Sequence, residues 1–237
     1  SLYYIIVVIF IKTAMKPREH IMGFSFENIT DFDNHIDSSI CHYKLLHESI
    51  GNISTFFVQD GTSILDIGCT SGKLLSVLSD RNSELNIKYL GVDIEPSNLP
   101  ENYGFDFLEM DITDSWTIEQ NINLITSVFT LQFIDISKRL EVLKNIYSTL
   151  NSGGAFIICE KIIQDRGVFQ ELYNFSHYDF KSNSFTASEI LNKQRDLRSI
   201  MFPISSKENE KLFKDAGFTK IECFFQSLNF KGWICIK

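Results

Sequence analysis

Paired cysteines are missing from this sequence, although five cysteines are present. They are Cys41, Cys69, Cys159, Cys223 and Cys235, and no two of them form a CxxC pair. An odd number of widely spaced cysteines disfavours both a zinc cluster and a disulfide framework. We therefore expect no metal site and a reducing compartment, most simply the cytoplasm.

Basic residues are also in short supply. The chain has 22 Lys and Arg residues against 30 Asp and Glu residues, which gives a formal net charge of −8 and an isoelectric point near 5.1. Proteins that bind the nucleic-acid backbone rely on Lys and Arg to displace counterions from phosphates. The charge balance therefore disfavours direct nucleic-acid binding and favours a small-molecule substrate.

A long apolar run is the third missing feature. The apolar stretch LYYIIVVIFI, residues 2–11, falls well short of the roughly 20 residues that a membrane-spanning helix needs. Basic residues follow it instead of preceding it, unlike those of a signal peptide. We expect residues 1–23 to be an N-terminal extension, with the working protein starting near Met15 or Met22. An edge strand, an interface segment and an anchor are the alternatives.

The composition is otherwise that of an ordinary globular protein. Hydrophobic residues make up 44% of the chain and charged residues 22%, and 21 phenylalanines are the one marked excess, which indicates burial. The length suits one hydrophobic core with additions. We therefore interpret residues 24–237 as one domain.

After residue 60, strand-like and helical segments alternate, which is typical of a parallel sheet covered by helices. Strands are predicted at residues 63–68, 87–93, 106–111, 123–131 and 155–163. The clearest helix lies between the last two, where Leu140, Leu143 and Leu150 recur at helical spacing. Asp135 or Ser137 can cap its start, and residues 151–154 are expected to end it.

The C-terminal part has a different pattern. Residues 219–228 and 229–237 are two strand-like runs close together, which predict a hairpin with one strand antiparallel to the rest of the sheet. Residues 165–216 are predicted to be mostly helical, and so is an entry segment within residues 24–60. Both insertions sit where a lid over the strand ends would attach. The predicted fold class is a Rossmann-like α/β fold with a mostly parallel seven-stranded sheet.

A glycine turn follows the first predicted strand, in the stretch ILDIGCTSG at residues 64–72. Ligands of open α/β sheets bind where the first strand turns into its helix. Gly68 lets the chain turn tightly, Gly72 permits close helix packing, and position 70 needs only a small residue. The G-x-x-x-G spacing misses the G-x-G-x-x-G dinucleotide fingerprint, so NAD is disfavoured.

Acidic residues at the strand ends indicate which ligand this turn holds. Asp93 closes the second predicted strand, where a carboxylate can accept both ribose hydroxyls, and Asp111 closes the third, where it can receive an adenine amino group. Asp66 can accept from a ligand ammonium directly or through water, and an acidic pocket suits a cationic sulfonium. Ribose and adenine without pyrophosphate indicate S-adenosyl-L-methionine. Each acid alone could equally cap a helix, so the inference rests on their combination.

The same residues resemble the class I S-adenosylmethionine-dependent methyltransferases, and within them the carboxy-S-adenosylmethionine synthases of tRNA wobble-uridine modification. The likeness covers nearly all of residues 24–237 and is most specific in VQDGTSILDIGCTSG, EILNKQRDLRSIM and KDAGFTKIECFFQSLNFKGWICIK. That family has a small hydroxyl residue at the position of Thr70, which implies an intact turn. The resemblance also implies a homodimer and prephenate as the second substrate.

The resemblance assigns residues to each part of the cofactor. Tyr43 would contact the methionine portion, although an amphipathic helix face explains it equally well. The turn residues that would line the cofactor are Gly68, Cys69 and Thr70. The residues that would hold the ribose and the adenine are Asp93 with Ile94 and Asp111 with Ile112.

Two positions depart from the family pattern. Gln194 stands where the family has a carboxylate-binding arginine, and Val128 stands where it has a cofactor-contacting asparagine. Arg195 and Arg198 follow Gln194 on the same predicted helix, so a one-residue register shift would let one of them supply a guanidinium. A solvated helix face is the alternative for both arginines.

Three functions stay open on this basis. The first and preferred one is a methyltransferase that aligns a small-molecule nucleophile with the sulfonium methyl group and excludes water. The others are carboxy-S-adenosylmethionine synthesis from prephenate and non-catalytic binding of S-adenosylmethionine. If a base is needed, Glu160 and His177 are candidates by position, with a structural role as the alternative for each.

Overall fold

The computed structural model describes residues 32–94, 104–118 and 121–237, with side-chain surroundings from His35 onwards. The expectations for residues 1–31, including the apolar stretch, lie outside these ranges. The elements before the sheet are α1 (Phe32–Ser39) and α2 (Tyr43–Ser54). The first half of the sheet and its helices are β1 (Ser63–Ile67), α3 (Lys73–Arg81), β2 (Lys88–Asp93), β3 (Asp106–Glu109) and β4 (Ile122–Val128).

A short 3-10 helix (Leu131–Phe133) follows β4 and leads into the second half of the chain. The remaining elements are α4 (Ile136–Thr149), β5 (Leu150–Lys161), α5 (Gly167–Lys181), α6 (Ala187–Arg198), α7 (Ser206–Ala216), β6 (Lys220–Ser227) and β7 (Phe230–Ile236). Within the described residues, no helix is both long enough and apolar enough to cross a membrane.

The sheet has seven strands in the order β3-β2-β1-β4-β5-β7-β6. Strands β1 to β5 pair in parallel, whereas β7 runs antiparallel to both β5 and β6. The predicted fold class and the antiparallel hairpin are thus confirmed. Because the chain passes from β1 to β2 on one side and reaches β4 on the other, the carboxyl ends of β1 and β4 form the switch point where α/β sheets bind ligands.

Two hydrophobic cores cover the two faces of the sheet. Strand β5 contributes to both because side chains alternate along a strand: Phe156 and Ile158 join one core, and Ile157 and Cys159 join the other. Helices α4 and α7 pack on the first face, and α2 and α3 pack on the second. Burial on both faces explains why these strands are almost continuously apolar in sequence.

The boundary between α4 and β5 differs from the prediction. Asp135 does cap α4, since its carboxylate accepts from the backbone N–H of Ser137 at 2.8 Å. Residues 151–154, however, are not a loop after the helix but belong to β5, which starts at Leu150. The backbone of Gly153 and Gly154 is paired with Lys237 by hydrogen bonds, each 3.0 Å long. This pairing extends the strand through residues whose composition is typical of a turn.

Candidate functional site

A cavity of about 470 Å³ lies at the switch point, beyond the carboxyl ends of β1, β2 and β4. Its floor includes Gly68, Asp93 and Val128, which follow or end these three strands. Residues of α1, α5 and α6 also line it, so the two helical insertions cover the strand ends as predicted. The cavity therefore lies where the sequence predicts the ligand to bind.

The glycine turn is held in shape by contacts with Thr130 and Asp93. Gly68 has φ +73°, and a Cβ atom there would lie 2.1 Å from Oγ1 of Thr130, a residue after β4. Thr70 also adopts a left-handed conformation, with φ 47°, which is uncommon for a β-branched residue. Its backbone N–H donates to the carboxylate of Asp93 at 2.9 Å. The turn is therefore tied to the end of β2, and Thr70 does not disrupt it.

One end of the cavity combines acidic and apolar side chains. Asp93, Ile94 and Ile112 line this end, together with Asp111. Asp111 does not close β3 as predicted, because that strand stops at Glu109. It lies in the following turn, where its carboxylate accepts from the N–H of Thr113 at 2.8 Å.

Asp66 lies beneath the cavity and is only 3% exposed. Its carboxylate accepts from the Thr126 hydroxyl at 2.6 Å. Burial raises the pKa of Asp66 to about 7, and Asp93 adds to this rise while Thr126 opposes it. Since Asp66 is absent from the cavity lining, direct contact with a ligand ammonium is not available in this structure, and contact through water stays a prediction.

Three further predicted cofactor residues stand behind the lining. The Tyr43 ring stacks on Phe129, with 6.3 Å between centroids, and Phe129 itself lines the cavity. The Cys69 side chain packs on Gly91, and burial together with Asp66 raises the pKa of its thiol. Gly72 caps the start of α3 with φ 72°. These residues support the cavity wall in this structure, and contacts with the cofactor stay predictions.

Glu160 is buried away from the cavity. Its carboxylate accepts backbone N–H bonds from Leu131 at 3.0 Å and from Gln132 at 2.7 Å. Burial raises its pKa, while Arg139 and the backbone N–H groups of residues 130–132 oppose the rise. Glu160 therefore fixes the 3-10 helix that follows β4, and the geometry favours the structural alternative over a catalytic base.

We expect Glu160→Gln to destabilise the fold by about 2 kcal/mol, because an amide can accept only one of the two buried N–H groups. Cofactor affinity should fall only modestly, since Glu160 does not line the cavity and acts on it through the backbone of Gln132, which does. Urea unfolding and calorimetric titration with S-adenosylhomocysteine would measure the two quantities. Glu222→Gln, on the exposed face of β6, is the control. Unchanged stability with lost turnover would instead indicate a catalytic role.

His177 is buried and lines the cavity. Its Nε2 lies 2.7 Å from the backbone carbonyl of Ser39, at the end of α1. A carbonyl only accepts, so Nε2 carries the proton and Nδ1 is left as an acceptor. Burial lowers the pKa of His177 to about 4, which keeps the ring neutral. The bond fastens α1 to α5 across the cavity.

The two departures from the family pattern both face the cavity. Val128 and Gln194 are part of its lining. The suggested register shift does not occur in this structure, because Arg195 and Arg198 are exposed on α6 and are absent from the lining. Gln194 points inward because it lies on the same side of α6 as Leu197, which also lines the cavity.

Three lysines that the sequence analysis did not single out line the other end of the cavity. They are Lys161 at the end of β5, Lys181 at the end of α5 and Lys193 on α6. Burial, together with the charge of Lys181, lowers the pKa of Lys161 and of Lys193 to about 8. Lys161 directly follows the candidate Glu160 in β5. Because side chains alternate along a strand, Glu160 lies inside the fold and Lys161 faces the cavity.

Comparisons with known proteins agree with this geometry. A family model described as a methyltransferase domain matches residues 64–154. The carboxy-S-adenosyl-L-methionine synthase of Staphylococcus epidermidis is 33% identical over 221 residues, which cover 90% of this chain and 95% of the relative. The chain belongs to the carboxy-S-adenosyl-L-methionine synthase family. The synthase of Actinobacillus pleuropneumoniae serotype 5b is 32% identical over 234 residues, covering 93% of this chain and 96% of the relative.

Solved structures support the same fold for this carboxy-S-adenosyl-L-methionine synthase family member. Human N-acetylserotonin methyltransferase, solved in complex with S-adenosylmethionine, matches with a TM-score of 0.57 at 15% identity. The match covers 82% of this chain and 52% of the human chain. At this identity the likeness concerns the fold alone.

The chain is a transferase that uses S-adenosyl-L-methionine, and the acidic end of the cavity fits that cofactor. Asp93 ends β2 beside the glycine turn, and its contact with the ribose hydroxyls stays a prediction. Ile94 and Ile112 add apolar surface to this end of the cavity, and their predicted contacts with the ribose and the adenine stay predictions. Among the described residues, no group of three or more His, Cys, Asp or Glu side chains could hold a metal ion.

Proposed function

We propose that this chain synthesises carboxy-S-adenosyl-L-methionine, with prephenate as the carboxyl donor. The observation that carries the proposal is the opposite charge of the two cavity ends. Asp93 and Asp111 outnumber Lys138 at the end where the cofactor would bind, and three lysines line the other end, where a doubly anionic substrate would be attracted. The full-length similarity to synthases of this name supports the same choice.

The proposed reaction balances without a protein base. Prephenate loses its ring carboxyl group as carbon dioxide and its ring hydroxyl as hydroxide, and becomes phenylpyruvate. The carbon dioxide bonds to the methyl carbon in place of one proton, which combines with the hydroxide to form water. Bound S-adenosyl-L-methionine supplies the sulfonium that acidifies this methyl group. The burial of Glu160 and the lowered pKa of His177 agree with chemistry that requires neither as a base.

The protein residues would contribute binding, orientation and enclosure. Asp93 would fix the ribose. The three lysines would hold the carboxylates of prephenate beside the methyl group of the cofactor. The His177 bond to Ser39 keeps α1 over the cavity, which would retain carbon dioxide and exclude water.

Mass spectrometry of the reaction with S-adenosylmethionine and prephenate tests the proposal. We expect a sulfonium heavier than the starting cofactor by one carbon dioxide, together with phenylpyruvate, and neither product without enzyme. If the cofactor stays unmodified with prephenate present, the proposal fails. Formation of S-adenosylhomocysteine with a small-molecule acceptor would then favour the methyltransferase.

We expect prephenate binding to weaken about tenfold between pH 7 and pH 9.5. Lys161 and Lys193 have pKa values of about 8, so both carry charge below that pH and lose it as the pH rises through that value. The groups that act on them include Lys181, Asp196 and Arg198. Calorimetric titration of the protein saturated with S-adenosylhomocysteine measures the effect. Prephenate affinity that does not change with pH would contradict this expectation. In Lys161→Met the affinity should depend less steeply on pH than in the parent protein.

A further inference from the structure

We infer that Lys161, Lys181 and Lys193 form a carboxylate-binding site that replaces the arginine missing at Gln194. This inference deepens the proposed function, because it rests on an anionic second substrate in the same cavity. It assigns the binding of the carboxylates to three residues on three different elements. The alternative is that the lysines only stabilise the fold.

The first support is that Lys181 is buried without an opposite charge. Its side chain is only 5% exposed and lines the cavity, and its ammonium lies 5.5 Å from the ring centroid of Phe185. Within the described part of the chain, no carboxylate forms an ion pair with Lys181 or Lys161. A buried charge normally has a partner, so an anionic ligand is the natural one.

The second support is that the positive charges repel one another. Burial is the main cause that lowers the pKa of Lys161 and Lys193, and Lys181 lowers both as well. Arg198 adds to the effect on Lys161, whereas Asp196 offsets part of the effect on Lys193. His35 from α1 also faces this group, and burial, together with Lys193 and Lys181, lowers its pKa. Such an arrangement is unfavourable in the absence of an anion, and a bound carboxylate would relieve the repulsion.

The third support is the position of Lys193 beside Gln194. Both residues line the cavity from α6. An arginine binds a carboxylate through a planar fork, whereas lysines act as separate point charges. Several ammonium groups converging from β5, α5 and α6 can therefore supply the charge that one guanidinium would otherwise provide.

Binding and turnover of lysine variants test the site. We expect Lys161→Met and Lys193→Met each to raise the dissociation constant of prephenate at least tenfold in protein saturated with S-adenosylhomocysteine. Affinity for S-adenosylhomocysteine itself should stay within about twofold, and Lys144→Met, on the exposed side of α4, should change neither constant. Gln194→Arg should restore prephenate binding to Lys193→Met, which a purely structural lysine would not allow.

The outcomes separate this inference from the proposed function. If the variants bind prephenate as the parent does, the lysine site is wrong even where carboxy-S-adenosylmethionine is formed. If the parent binds prephenate through the lysines but forms no such product, the site stands and the proposed function fails. If the parent binds no carboxylate, both are overturned.

Discussion

Replacing Asp93 by alanine should weaken binding of S-adenosylmethionine about 100- to 1000-fold. Two charge-assisted hydrogen bonds to the ribose hydroxyls would be lost, at about 1.5 to 3 kcal/mol each with incomplete additivity. The substitution also removes the acceptor for the Thr70 N–H, which is 2.9 Å away. The left-handed turn at Thr70 would then lose its tie to β2. Isothermal titration calorimetry with S-adenosylhomocysteine measures the loss.

Asp80→Ala is the matched control for this experiment. Asp80 is exposed on α3 and has the same charge, so its removal tests whether net charge alone matters. We expect its effect on affinity to be less than twofold. Comparable weakening in both variants, or unchanged affinity in Asp93→Ala, would remove Asp93 from the cofactor site.

Gly68→Ala should destabilise the protein by about 4 kcal/mol and prevent cofactor binding. A residue with a side chain at φ +73° costs about 1 to 2 kcal/mol. The added Cβ would also lie 2.1 Å from Thr130 Oγ1, whose hydroxyl donates to the Ile67 carbonyl at 3.1 Å. Thr130 would have to move and break this bond. Urea unfolding followed by circular dichroism measures the free energy.

Gly61→Ala separates the two contributions to that effect. Gly61 has φ +78°, close to that of Gly68, but nothing lies within 4 Å of a Cβ atom placed there. We expect Gly61→Ala to lower the free energy of unfolding only by the cost of the left-handed backbone conformation, about 1 to 2 kcal/mol. Equal losses at the two positions would show that the contact with Thr130 is unimportant.

The sequence was sufficient for the fold because burial imposes regular patterns. The alternation of apolar strands with helices predicted the parallel sheet, and the adjacent C-terminal runs predicted the antiparallel β7. The α4–β5 boundary was predicted wrongly, since residues 151–154 are typical of a turn but pair with a residue far away in sequence. Gly153 and Gly154 are held in β5 by Lys237, a contact that no local pattern reveals.

Patterns in the sequence located the site mainly where it follows strand ends. Asp93 and Ile94 directly end or follow β2, so a pattern based on strands located them. Lys181 and Lys193 lie on helices, where a lysine is usually solvated, and only the three-dimensional fold brings them to the cavity. The same limit applies to Arg195, since one step along a helix decides whether a side chain faces ligand or solvent.

Strand β5 lies between β4 and β7 in the sheet, although β7 is made about 70 residues later in the chain. During synthesis β5 is therefore an open edge, and its fully buried stretch Ala155–Cys159 combines strong strand propensity with no charge. Such an edge can pair with other nascent chains and seed aggregates. The C-terminal hairpin thus protects solubility as well as completing the sheet.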